Sequence, residues 1–261
     1  MGAQAIVVTA LATTPVKGLR VIACSRLTLD ATGVPDNRRF YLVDERGRMV
    51  NGKRAGELNA IVAAYRHDER ALTLTFDDGA VVDGTVRLGE PIDTRFFSRP
   101  ACAQPVLGPW SQALSEHVGR PLRIVQSVGR SGVDRGRGGA VTLISRASLA
   151  GLARAAGVDD VDARRFRMLF EIDGVGAHEE DAWVGRSVRI GEALVRFGGH
   201  VGRCSITTRH PERGVVDLPT LDVLRAYRGD LDATEPLPFG VYGEVLEGGV
   251  VAVGDAVVAG A

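Results

Sequence analysis

Cys204 stands between His200 and His210 in a chain with three cysteines and five histidines. Thiolate and imidazole together suggest zinc, but a structural zinc site wants four ligands at tight spacing and only three stand here. Two ordinary loop histidines are the simpler reading. Cys24 and Cys102 are far from Cys204, and there is no Cys-x-x-Cys pair. That argues against an iron–sulfur cluster and against a disulfide framework. Arg203 directly precedes Cys204, and a cation beside a thiol favours the thiolate, the reactive and metal-binding form.

The other candidate chemistry is cationic. Lys17 and Lys53 are the only lysines among 32 basic residues, a skew that reflects coding bias overall but draws attention to both positions. Residues 127–139 are glycine-rich and carry Arg130, Arg135 and Arg137. The segment reads as a mobile loop or lid, with anion contact and a single RGG-like nucleic-acid tract as the alternatives. Several motifs are absent: no phosphate-binding Gly-Lys-Ser/Thr loop, no Gly-x-Ser-x-Gly elbow and no His-Glu-x-x-His pair. Gly174-Val175-Gly176 begins like a dinucleotide loop, but Glu179 occupies the place of its third glycine.

These residues need a scaffold, and the pattern supplies a β-rich one. Short strand-type runs are expected over 5–10, 20–27, 40–44, 60–65, 71–76 and 80–88, separated by Gly and Asp turn signals. Further strands are expected over 167–172, 187–190, 193–197, 241–246 and 250–258. Helical spacing predicts helices over 110–118, 145–157 and 220–228. In the second, Ser145 or Ser148 can cap and Gly157 can terminate. In the third, Leu221, Leu224 and Tyr227 share one face. The fold class is therefore β-dominated α+β.

The segment 166–214 resembles the C-terminal part of a MOSC domain, the molybdenum cofactor sulfurase C-terminal domain. The matching pieces stand in order: Phe166-Arg167 before a strand, Glu179-Glu180-Asp181 followed by Trp183 and Val184-Gly185, then Arg203-Cys204-Ser205-Ile206-Thr207-Thr208 with Pro211 and Gly214. Phe239-Gly240-Val241-Tyr242 and Val253-Gly254-Asp255 follow. In the first half, Thr14-Pro15-Val16-Lys17-Gly18 and Arg38-Arg39-Phe40-Tyr41-Leu42-Val43-Asp44 resemble the N-terminal β-barrel domain of the mitochondrial amidoxime-reducing component and its bacterial relatives. The resemblance covers almost the whole chain and implies an N-terminal barrel over 1–120 and a MOSC barrel over 121–261, with the cofactor between them.

The resemblance implies molybdopterin held by one protein thiolate on molybdenum, at the position of Cys204. A soft thiolate suits such a metal. Cys204 is then both the metal ligand and the catalytic residue. Lys17, Arg39, Ser145 and Arg167 match cofactor-contacting positions of the family, Arg203 adjoins the metal ligand, and Thr207 and Thr208 read either as hydroxyls beside the metal or as plain strand threonines. Arginine forks and helix N-termini are the usual holders of a phosphate. Two departures stand out: Gly18 where the family often has serine, and Met168-Leu169 where it has Pro-Asn. The implied activity is reduction of N-hydroxylated small molecules, with electrons from a separate flavin- or iron–sulfur-based reductase. The alternative is a non-enzymatic cofactor carrier or a sulfur carrier using Cys204. Asp173, Glu179 and Asp181 are the candidate proton donors, with a solvated acidic loop as the plainer reading.

Composition agrees with a globular scaffold. The 261 residues are 45% hydrophobic and 25% charged, with zero formal net charge. That is one large domain or two smaller ones, with enough apolar content for a full core. Zero net charge argues against broad nucleic-acid or membrane-surface binding. Sparse cysteines fit a reducing cytoplasm. The N-terminus lacks a positive leader region and reads as a strand. No apolar run reaches the roughly 18 residues a membrane helix needs.

Overall fold

The structure, a computed structural model, describes residues 5–128, 134 and 136–260. Two mainly antiparallel sheets dominate. The first has eight strands in the order Val257–Ala259, Ser187–Ile190, Ala193–Gly202, Pro238–Glu247, Val141–Ser145, Phe170–Asp173, Val7–Thr13, Ile22–Cys24. Its far ends meet. Val257 N donates to Ile6 O at 2.9 Å, Val8 N to Asp255 O at 2.9 Å and Gly254 N to Val8 O at 2.8 Å. These bonds close the sheet into a barrel, which removes most of its edge. The opening strand of the chain is thus built into the sheet made mostly of the last 120 or so residues, where it pairs with Phe170–Asp173.

The second sheet runs Arg87–Leu88, Arg99–Leu107, Arg123–Ser127, Phe40–Val43, Val16–Lys17, with Ile92–Phe96 and Met49–Val50 attached. A three-stranded meander, Val62–Arg66, Ala71–Thr75 and Val81–Thr85, packs beside it. Helix α1, Trp110–Val118, locks onto the meander through Trp110, which is fully buried and donates Nε1–H to Leu72 O at 3.0 Å. Helices α2, Arg146–Ala156, and α3, Thr220–Arg228, cover the barrel with a separate apolar cluster that includes Leu152, Phe166, Leu224 and Phe239. Each large side chain buried in these cores contributes about 1.5–3 kcal/mol.

Local sequence explains much of this. Val8 and Leu11 both point inward although they are three apart, because the register shifts between Val8 and Ala10. Helix α2 is capped as its sequence predicts: Ser145 Oγ accepts from Ser148 N at 3.1 Å, and Gly157 ends it with φ of +68°. The expected strand over 167–172 starts later, at Phe170. Asp162 accepts from Arg164 N and caps a 3-10 turn, Ala163–Phe166, that leaves Arg167 in the left-handed region. The strand Arg99–Leu107 was hidden by Pro100 and Pro105. At Pro100 only one neighbouring strand pairs, so the missing N–H costs little. Helix α3 buries Thr220, Leu224 and Arg228, with Tyr227 37% exposed, rather than the face expected from Leu221, Leu224 and Tyr227. The reason is Arg228, which is buried because it is paired, to Asp181 Oδ2 at 2.6 Å and Pro238 O at 3.0 Å. Of the glycine-rich segment, Arg130 and Arg135 lie outside the described residues, whereas Arg137 opens a short 3-10 turn. No helix among the described residues is long and apolar enough to cross a membrane.

Candidate functional site

A cavity of about 540 Å³ lies where the two sheets meet. Lys17, Arg38, Phe96 and Phe97 come from the second sheet and its turns; Thr142, Arg167, Met168 and Arg203 come from the barrel side. Lys17 ends a two-residue strand that pairs in parallel with Phe40–Val43, which fixes its direction. Arg38 and Arg167 both have φ of +56°, an uncommon conformation for arginine, and each stands in a turn just ahead of a strand. Arg38 is held there by its N–H on Thr14 O at 2.7 Å.

The cations form one largely buried group in which each keeps some exposure. Asp134 accepts from Lys17 Nζ with one carboxylate oxygen and from Arg38 Nη1 with the other. Arg38 Nη2 donates to Arg167 O at 2.7 Å, and Arg167 Nη2 to Leu19 O at 2.5 Å. Burial pushes the Lys17 ammonium down; Asp134 opposes that shift and Arg38 adds to it. Burial alone would raise Asp134, but Lys17 and Arg38 overcome it and hold the carboxyl well below the usual range. Burial, reinforced by Arg38, lowers the Arg167 guanidinium. Lys17 and Arg38 thus share one carboxylate, and Arg167 beside them has none of its own. Buried charge is expensive unless paired, so this wall favours a further anion.

Arg203 lines the same cavity, but its guanidinium is committed to the backbone. It donates to Phe239 O at 2.9 Å and Phe166 O at 3.0 Å, contacts Met168 Sδ at 3.0 Å, and lies 5.1 Å from the Phe166 ring centre. It therefore fixes the chain that leads into Cys204. Cys204 precedes a 3-10 turn, Ser205–Thr208; its side chain takes no part in capping, and the residue is exposed. The thiol is thus free of structural duty. Thr207 and Thr208 donate their hydroxyls inward, to Cys204 O at 3.0 Å and Ser205 O at 2.8 Å, and so stiffen the turn.

Five of the expected residues do not line the cavity: Cys204, Thr207 and Thr208 stand on the turn that follows Arg203, and Arg39 and Ser145 lie elsewhere. Arg39 points away from the cavity to Asp36 Oδ1 at 2.9 Å and Gln126 Oε1 at 3.1 Å, while its neighbour Arg38 faces in. Ser145 does not line the cavity either; its hydroxyl donates to Glu180 Oε2 at 2.9 Å beneath helix α2. Asp173 and Glu179 accept from nearby backbone N–H groups at 2.8 Å, and Asp181 pairs with Arg228. His200 lies 3.9 Å from Asp181, and His210 Nδ1 accepts from Glu212 N and Arg213 N. No group of three or more metal-ligating side chains forms among the described residues.

The two departures have physical causes. Gly18 has φ of +100°, and a Cβ there would come within 3.1 Å of Asn51 Cα, so a serine would be strained. Leu169 is buried in the barrel core, and Met168 contacts Arg203 through sulfur. Sequence reasoning missed Arg38, Asp134, Phe97, Arg99 and Glu235, which all line the cavity. For Arg38 and Asp134 the signals were the doubled arginine and the lone acid in the glycine-rich segment.

A family model described as the MOSC domain matches residues 130–258, and one described as the MOSC N-terminal beta barrel domain matches residues 5–99. No curated protein matches the sequence. Among solved structures, the YuaD protein of Bacillus subtilis is similar over 97% of this chain and 93% of that one, at 11% identity and a TM-score of 0.45. YiiM of Geobacillus stearothermophilus is similar over 53% of this chain and 67% of that one, at 20% identity and a TM-score of 0.37. YiiM of Escherichia coli is similar over 51% and 59%, at 17% identity and a TM-score of 0.35. The family assignment rests on the two family models, which together span most of the chain.

Proposed function

The chain belongs to the MOSC family, with a MOSC N-terminal β-barrel domain ahead of the MOSC domain, and on that premise we propose that its cavity holds a molybdenum–pterin cofactor and serves the reduction of N-hydroxylated small molecules. The observation that carries this reading is the buried surplus of positive charge at Lys17, Arg38 and Arg167 over Asp134. A phosphate-bearing ligand supplies the missing negative charge, and arginine forks suit its oxygens. The residues present therefore fit the group. Lys17, Arg38 and Arg167 would hold its phosphate, and the exposed Cys204 thiolate would ligate the metal. When bound, the group supplies two-electron oxygen-atom chemistry: an N–OH compound takes up two electrons and two protons and gives the N–H compound and water.

The chain's own contribution is positional. Arg203, which lines the cavity, and the stiffened turn Ser205–Thr208 fix the backbone on either side of Cys204. In this reading the electrons are supplied by a flavin- or iron–sulfur-based reductase, and a reducing cytoplasm keeps the thiol available. The exposure of Cys204 also suits a second reading, a cofactor or sulfur carrier.

Molybdenum and pterin content, measured on protein from a host that makes the cofactor, tests the reading. Near-stoichiometric molybdenum and pterin in the parent, with molybdenum lost in Cys204→Ala, is expected. Turnover of an N-hydroxylated substrate by the loaded protein with a reductase separates enzyme from carrier. Absence of both molybdenum and pterin from the parent overturns the proposal, and a persulfide on Cys204 would then identify a sulfur carrier.

A further inference from the structure

The hairpin that joins Ile92–Phe96 to Arg99–Leu107 turns through two residues, Phe97 and Ser98, with Phe96 opposite Arg99. Phe97 has φ of +56°. The first loop position of such a hairpin needs positive φ and is most cheaply filled by glycine. A bulky residue there is an outlier that local propensity does not explain. Packing explains it only in part. Phe96 is buried against Tyr41, with ring centres 5.3 Å apart, and Phe97 meets Phe96 edge-to-face at 5.0 Å, yet Phe97 stays 61% exposed.

The exposed ring stands at the cavity. Phe97 is one of its lining residues, and Lys17 Nζ lies 5.4 Å from the ring centre. Arg99, on the returning strand, also lines the cavity, and its exposed guanidinium makes no ion pair or side-chain hydrogen bond among the described residues. A strained, exposed aromatic and an uncommitted arginine therefore sit side by side on one hairpin tip. With Lys17, Arg38 and Arg167 given to the phosphate of the bound group, Arg99 is the cation that remains at the hairpin tip to meet an acidic group.

We propose that this hairpin tip selects the substrate: Phe97 stacks on a planar aromatic ring and Arg99 pairs with an acidic group on that ring. The preferred substrates are then N-hydroxylated aromatic compounds carrying a carboxylate or a phosphate. Every aromatic ring offers a face for stacking, which makes Phe97 tolerant of ring type. An arginine fork matches either acidic group. The inference rests on the cavity being the substrate site; its test reads binding and not turnover.

Binding to the purified, cofactor-loaded protein is measured without reductant for three probes: acetamidoxime, benzamidoxime and 4-carboxybenzamidoxime. The parent should bind them in rising order of affinity. Phe97→Gly should weaken both aromatic probes about tenfold and leave acetamidoxime unchanged. Its melting temperature should be equal or higher, because glycine relieves the positive φ. Arg99→Gln should keep the preference for the ring and reduce the gain from the carboxylate to about onefold. Equal binding of the aromatic probes by parent and Phe97→Gly overturns the proposal. So does a lowered melting temperature with unchanged probe preference, which would make Phe97 a cover for Lys17 only. Failure of the cofactor reading shows separately, as missing molybdenum.

Discussion

Two regions of this protein bury charge, and they do so to opposite ends. Beneath helix α2, Glu180 is fully buried and accepts from Ser145 N at 3.1 Å, Ser145 Oγ at 2.9 Å and Ser148 Oγ at 2.7 Å. Every neighbouring donor turns inward, and the network is closed. At the junction of the sheets, Lys17 and Arg38 share a single carboxylate, and the remaining donors, those of Arg167 included, fall back on backbone carbonyls. That network is open. A satisfied buried charge organises the fold, whereas an unbalanced one waits for something from outside. Buried polarity alone marks neither a site nor a scaffold; the balance of charge and donors separates them.

The comparison breaks most readily at Glu180. Glu180→Ala leaves two buried donors without an acceptor, the Ser145 N–H and one of the two serine hydroxyls, which pair with each other at 2.8 Å, and should cost about 3 kcal/mol, read by chemical denaturation. Below the unfolding transition it should leave phosphate binding at the cavity unchanged. If Glu180→Ala abolishes that binding in folded protein, the division between scaffold and site is wrong. The cation cradle should behave in reverse. Arg167→Gln removes a buried cation that has no carboxylate of its own, so stability should change by less than about 1 kcal/mol. Binding of inorganic pyrophosphate to cofactor-free protein should fall at least about tenfold, as calorimetry would show.

The closed region also has a pH signature. His178 N donates to Ser148 Oγ at 2.8 Å, and burial, aided by Arg228, pushes the His178 imidazole down to about 4. An ordinary histidine titrates near 6.5. Because the folded value is the lower one, the unfolded chain takes up the proton first. Stability is full above about pH 6.5 and declines as pH falls toward 4. The side chain is only half-buried, so solvent screening keeps the effect modest. His178→Asn should flatten this limb in denaturation measured between pH 7 and 4. A mutant that keeps the full slope would place the titrating group elsewhere.

Much of the scaffold was legible from local signals. The three helices, their bounds and the Ser145 and Gly157 caps follow from spacing and capping chemistry. Strands with turn signals on both sides were also legible, as at Ala71–Thr75. Strands that pair over long sequence distances were harder. Val141–Ser145 reads as an apolar run that a helix could equally own, and the prolines of Arg99–Leu107 mask it. Of the residues that line the cavity, Lys17, Arg167 and Arg203 were legible because their motifs are short and contiguous. Asp134 was not, because its role depends on two residues about a hundred positions away. Glu180 was hidden among three consecutive acids of which only one turns inward.

The smallest prediction tests the sharpest of these distinctions, between Arg38 and Arg39. Sequence alone cannot tell which of two adjacent arginines faces a cavity. The backbone decides it: Arg38 takes a positive φ, which turns it into the cavity and leaves Arg39 to face Asp36 and the Tyr65 ring. Arg39 is partly exposed, so its pairing with Asp36 is worth at most about 0.5 kcal/mol. Arg39→Gln should therefore lower stability by no more than that and leave pyrophosphate affinity and cofactor content unchanged. Arg38→Gln should lower both, because Asp134 would keep only Lys17 and the Arg167 carbonyl would lose its donor. If the two variants behave alike, the cradle does not depend on the fixed direction of Arg38, and its surplus charge acts as a diffuse field and not as a shaped site.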